Sequence, residues 1–182
     1  MDSSHLTIDV DRSIDRQRLI YKSSFSLYFE YFSRCLLASC MFFLGNILIQ
    51  AYEIPDPLAT IIIIFLSIWL LGSLYFINKL NKIIGLNDEG NKLKVAAFLH
   101  DKFDNITCIY SSHHIYIYIN EPKPIGITKI ITLLFYNNEV YLNISTLNKK
   151  TDSKMFLSAT YDYFKAKNIQ KILAQQLNPM SR

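Results

Sequence analysis

Two long apolar runs dominate the chain, SRCLLASCMFFLGNILIQAY from Ser33 to Tyr52 and PLATIIIIFLSIWLLGSLYFIN from Pro57 to Asn78. Each holds about 20 residues, enough at 1.5 Å rise per residue to reach across a hydrocarbon core of roughly 30 Å. No charge interrupts either run once Arg34 is set at the boundary. A chain of 182 residues has little further apolar surface with which to wrap two helices that are hydrophobic all round. The pattern therefore predicts a two-helix transmembrane hairpin over 33–78. Its turn is EIPDP, Glu53 to Pro57, where two prolines break the helix.

Basic residues lie outside the runs, with Arg12, Arg16, Arg18 and Lys22 before them and Lys79, Lys82, Lys92 and Lys94 after them, while the loop has none. The positive-inside rule then predicts a multi-pass protein of the inner (plasma) membrane with both termini cytoplasmic, and makes the lipid bilayer its first partner. Tyr28, Phe29, Tyr31, Phe32, Tyr75 and Phe76 suit anchors at the interface. Upstream, residues 1–32 read as a cytoplasmic segment, with 11–32 either an interfacial amphipathic helix that continues into the first run or a partly ordered tail.

Beyond the second run the period changes. Residues 79–104 form a connecting segment with a predicted helix from Asn91 to Phe103, carrying Leu93, Ala96 and Ala97 at helical spacing. Residues 105–178 form the predicted cytoplasmic α+β domain, which with the preceding helix reads helix, four antiparallel strands, helix. In ITLLFYNNEVYLNIS the pair Asn137-Asn138 suits a two-residue turn, because asparagine tolerates the positive φ such turns need. Pairing outward sets Phe135 opposite Val140, Leu133 opposite Leu142 and Ile131 opposite Ile144 on one apolar face. The other face carries Thr132, Leu134, Tyr136, Glu139, Tyr141, Asn143 and Ser145. In CIYSSHHIYIYI a turn at Ser112-His113 would place Ile115, Ile117 and Ile119 on one face with Tyr110, Cys108 and Ile106, and Tyr116, Tyr118 and His114 on the other. The linker EPKPIGI joins the two hairpins, the polar loop NKKTDSK follows the second, and a final helix is predicted over 161–177.

Composition adds little that is specific. A net charge of +4 serves a lipid surface or a polyanion equally well. The basic residues are too dispersed for a nucleic-acid interface, so no nucleic-acid partner is predicted. Abundant Ile, Asn and Lys hint at a bacterial source. The odd cysteine number, Cys35, Cys40 and Cys108, argues against a disulfide framework.

No phosphate loop, nucleophile elbow or zinc spacing is present, so no cofactor, metal or catalytic set is predicted. His100, Asp101, His113, His114 and Glu139 are the residues a motifless active site would draw on, and a solvated turn or helix end accounts for each. His113 and His114, as neighbours on a strand, would face opposite ways and could not share an ion without a bulge. The sequons at Asn105 and Asn143 are predicted silent in a cytosolic domain.

Two sets of residues carry the predicted interactions. Tyr116, Tyr118, Tyr136 and Tyr141 would supply a rigid, half-apolar surface for a protein partner. Gly45, Asn46, Ser67 and Gly72 would supply helix packing within the hairpin or between copies in a homo-oligomer. The predicted function is a non-enzymatic, membrane-anchored interaction or regulatory protein, a bacterial immunity-type protein being one instance. The alternative is an oligomerising membrane effector whose soluble domain senses a ligand and whose spans disrupt the bilayer.

Overall fold

The computed structural model of the chain describes residues 8–21, 25–51, 57–84, 88–121, 127–148, 154–155 and 158–177. Ten elements run α1 (Val10–Asp15), α2 (Phe25–Ala51), α3 (Pro57–Phe76), β1 (Asn81–Ile84), α4 (Asp88–Lys102), β2 (Ile106–Ser111), β3 (Ile115–Asn120), β4 (Ile127–Tyr136), β5 (Glu139–Asn148) and α5 (Ala159–Leu177). The strands form one antiparallel sheet in the order β1-β5-β4-β3-β2. The middle of the EIPDP loop (53–56), the centre of the linker between hairpins (122–126) and most of the loop after β5 (149–153) lie outside the described residues.

The β4–β5 hairpin turns where two asparagines permit it. Asn137 and Asn138 take φ of 48° and 65°, and Tyr136 pairs with Glu139 across them. Phe135 faces Val140, Leu133 faces Leu142 and Ile131 faces Ile144, and all six enter one core with Val95, Phe98 and Leu99 of α4 and Ala166, Ile169 and Leu173 of α5. The fifth strand is β1, a four-residue piece soon after α3, inside the 79–104 stretch expected to be a helical connection. It pairs with β5 through Ile83 and Val140.

The face opposite α4 and α5 is covered as well. Residues 8–21 fold over it, with α1 capped by Asp9, whose side chain accepts from the Arg12 N–H. Gln17 takes a left-handed φ of 50°, after which the chain extends and pairs with the segment leaving α3. The Leu19 N–H donates to Asn78 O at 2.7 Å, and the Leu80 N–H to Gln17 O at 3.0 Å. Ile8 and Leu19 pack on Leu80, Ile115, Ile117, Ile130, Leu134, Tyr141 and Leu147 in a second core. The continuous helix that was one expectation for 11–32 does not form: a six-residue helix is followed by a turn and an extended return, and α2 starts separately.

The transmembrane hairpin does not stand. Both helices form and pack on each other, but among the described residues no helix is long and apolar enough to cross a membrane. In α3 part of the predicted run is spent on the sheet domain. Leu70, Ser73, Ile77 and Asn78 are buried, and the Phe76 ring stacks on Tyr163 of α5 at 4.7 Å. The transmembrane assignment, the multi-pass inner-membrane location and the membrane-based fold class go with that hairpin. The architecture is a five-stranded antiparallel sheet with helices, from which two packed apolar helices extend.

Candidate functional site at the hairpin base

Three chain segments meet where α3 enters the sheet domain, and polar groups fix the junction. Asn143, buried on β5, donates through Nδ2 to Lys79 O at 2.9 Å and Ile77 O at 3.4 Å, while its Oδ1 accepts from Ser145 Oγ at 2.8 Å. Lys154 Nζ donates to Asn78 Oδ1 at 2.8 Å and Tyr21 OH at 2.9 Å, tying the strand end to the N-terminal segment. An amide buried with every partner supplied is a positioning device, since leaving it unpaired would cost about 1 to 3 kcal/mol.

Around this joint lies a collar of rings and cations. Phe76 stacks on Tyr163 and lies 6.2 Å from Phe164, while Tyr75 meets Phe76 edge-on at 5.2 Å. The Lys79 ammonium sits 4.5 Å from the Tyr75 centroid, 5.4 Å from Tyr163 and 5.9 Å from Phe76, and donates to Tyr75 OH at 3.0 Å. The Arg18 guanidinium lies 5.7 Å from the Tyr75 centroid. Tyr75 and Phe164 are both more than half exposed.

Above the collar, α2 and α3 are apolar and exposed on more than one side. Met41, Phe42, Phe43 and Leu44 are consecutive and all exposed, and at about 100° per residue they sweep most of the helix circumference. Ile61, Ile62, Ile64, Phe65, Leu66, Ile68 and Trp69 do the same on α3. Gly45 marks the helix crossing, for a Cβ there would lie 2.7 Å from Ile63 Cδ1. A Cβ at Gly72 would meet nothing within 4 Å. The two polar positions serve their own helices, with Asn46 Nδ2 donating to Phe42 O at 2.6 Å and Ser67 Oγ to Ile63 O at 2.9 Å.

The four tyrosines do not share a face. Tyr116 pairs with Leu133 and Tyr118 with Ile131, which sets both on the α4–α5 side, where Tyr118 is core and Tyr116 packs against it. Burial raises the Tyr118 hydroxyl above its ordinary range. Tyr141 is buried on the opposite side, and Tyr136, two residues beyond Leu134 on β4, lies toward that side too. The first hairpin turns later than the spacing suggested, with Ser111 opposite Tyr116, and a bulge between Cys108 and Tyr110 moves Cys108 and Ile106 onto the Tyr118 side. A shallow groove of about 440 Å³ runs beside this edge, lined by Asn105, Thr107, Ile109, Ile119 and Glu121.

Of the residues a motifless active site would use, Glu139 and His114 have structural partners. Tyr141 OH donates to Glu139 Oε2 at 2.6 Å, and Lys82 Nζ lies 2.5 Å from Glu139 Oε1, clamping β1 to β5. Burial and then the Glu139 hydrogen bond raise the Tyr141 hydroxyl, while Lys82 and then Tyr141 lower the Glu139 carboxyl from its ordinary 4.5. A carboxyl lowered in the folded state stabilises above its unfolded value and loses that contribution as pH falls through the folded one. Unfolding midpoints measured at descending pH should therefore fall below about pH 4.5 less steeply in Glu139→Gln than in the parent. His114 Nδ1 donates to Phe135 O at 3.0 Å, and the His113 and His114 rings lie 4.6 Å apart. Among the described residues no three His, Cys, Asp or Glu gather to hold a metal.

No known protein family, curated protein or solved structure matches the chain.

Proposed function

We propose that the protein is a non-enzymatic interaction or regulatory module whose sheet domain is held at a lipid surface by the α2–α3 hairpin embedded in it. The observation that carries this reading is apolar exposure around the helices, not along one stripe. A protein partner covers a face, whereas a hydrocarbon medium meets every side, and patches this large are rarely left to water. A hairpin seated in one lipid surface asks neither helix to cross. The non-enzymatic part rests on Glu139, His114 and Tyr141 being engaged in holding strands together.

Flotation of the purified full chain with phosphatidylcholine vesicles tests the reading. The parent should rise with the vesicles, and Phe43→Glu with Ile62→Glu should stay at the bottom of the gradient while the sheet domain unfolds at an unchanged midpoint. A parent chain that remains monodisperse and unbound beside vesicles would overturn the proposal. Multimers in place of vesicle binding would favour the oligomerising alternative.

A further inference from the structure

We infer that the collar at the hairpin base is a binding surface for anionic lipid headgroups, an inference that rests on the lipid-seated reading and names the lipid class. Its geometry is that of an interfacial girdle, with amphipathic rings at the level where an apolar element ends and cations among them. Tyr75, Phe76, Tyr163 and Phe164 form a continuous ring cluster, and Lys79 and Arg18 both lie over Tyr75 within it.

Three features separate this from scattered surface charge. Lys79 spends one N–H on Tyr75 OH, and an ammonium has three to give, so two are left for phosphate or carboxylate oxygens. The backbone under the collar is held by the buried Asn143 and by pairing of Arg18 with Lys79, so the two cations arrive as a preset pair. The collar also adjoins the exposed apolar helices, so one approach to a lipid surface would seat the hairpin and bring the cations to headgroup depth. A basic residue near an anionic lipid surface strengthens attachment by about fivefold.

The test is flotation with phosphatidylcholine vesicles alone and with vesicles containing phosphatidylserine, at low and raised salt. The parent should bind the mixed vesicles several-fold more tightly, with the difference shrinking as salt rises. Lys79→Gln should lose about fivefold of that preference, and Lys79→Gln with Arg18→Gln most of it, with attachment to phosphatidylcholine alone retained. Lys94→Gln, on α4, should keep the full preference. Equal binding of the parent to both vesicles would overturn the collar and leave the hairpin reading intact, whereas binding to neither would remove both. Loss of the preference on adding inorganic phosphate at constant ionic strength would also overturn it, in favour of a discrete anion site.

Discussion

Replacing Phe135 by alanine should lower the stability of the sheet domain by about 4 kcal/mol. The side chain is fully buried at the centre of the larger core, with the Tyr116 ring edge-on at 5.4 Å. It sits on β4, whose neighbours on both sides fix its position, so the cavity cannot collapse by moving an edge. Phe135→Leu keeps most of the volume and should cost less than about 1.5 kcal/mol. Chemical denaturation of the full chain in one fixed detergent checks both. Phe43→Ala, equally large but on the exposed hairpin, should leave that transition in place. Similar losses for Phe43→Ala and Phe135→Ala would mean that hairpin and sheet form one cooperative core.

The second large effect is expected at Asp162, in the first turn of α5 and almost wholly buried. Its Oδ2 accepts from Thr146 Oγ1 at 2.7 Å and Ser158 Oγ at 2.9 Å, and Lys129 Nζ lies 3.8 Å from Oδ1. The last is an ion pair at a length beyond hydrogen bonding, which fits Oδ1 having no hydrogen-bond partner. Burial, then the nearby Lys129, lower the ammonium of Lys165, so positive charge is already crowded here. Asp162→Ala removes a buried carboxylate that balances that charge and takes the acceptor from the Thr146 hydroxyl, while Ser158 Oγ keeps Met155 O at 2.8 Å. Breaking a buried pair from one side costs roughly 3 to 5 kcal/mol. Thr146→Val removes a single hydrogen bond and should cost about 1 kcal/mol. If Asp162→Ala unfolds no earlier than Thr146→Val, the carboxylate is not what fixes α5 to the sheet.

What the sequence made legible follows from where the information lies. The β4–β5 hairpin was readable because its turn and its alternation are local, two asparagines with positive φ and six apolar residues in register. Helices α4 and α5 were readable from spacing. β1 was hidden because four residues after a long apolar helix show no alternation of their own. The two tyrosine pairs were set on one face because nothing local fixes the register between the hairpins, where Tyr116 meets Leu133 and Tyr118 meets Ile131. The second core needed residues 8–21, far along the chain from the strands they cover. A clue was present, since β4 reads as a near-continuous apolar run, the pattern of a strand buried on both faces. The collar was half visible as aromatic and basic residues around Tyr75 and Lys79, but Tyr163 and Arg18 reach it only through the fold.

The single tryptophan offers the most direct test that lipid covers the hairpin. Trp69 lies on α3, 39 % exposed, with Phe65 one turn away at 6.1 Å between centroids. Its fluorescence should be followed as vesicles carrying bromine on the acyl chains are added to the full chain. A blue shift with strong quenching by the brominated chains and loss of quenching by iodide is the result expected of a lipid-seated hairpin. Unchanged emission, open to iodide and indifferent to bromine, would contradict it.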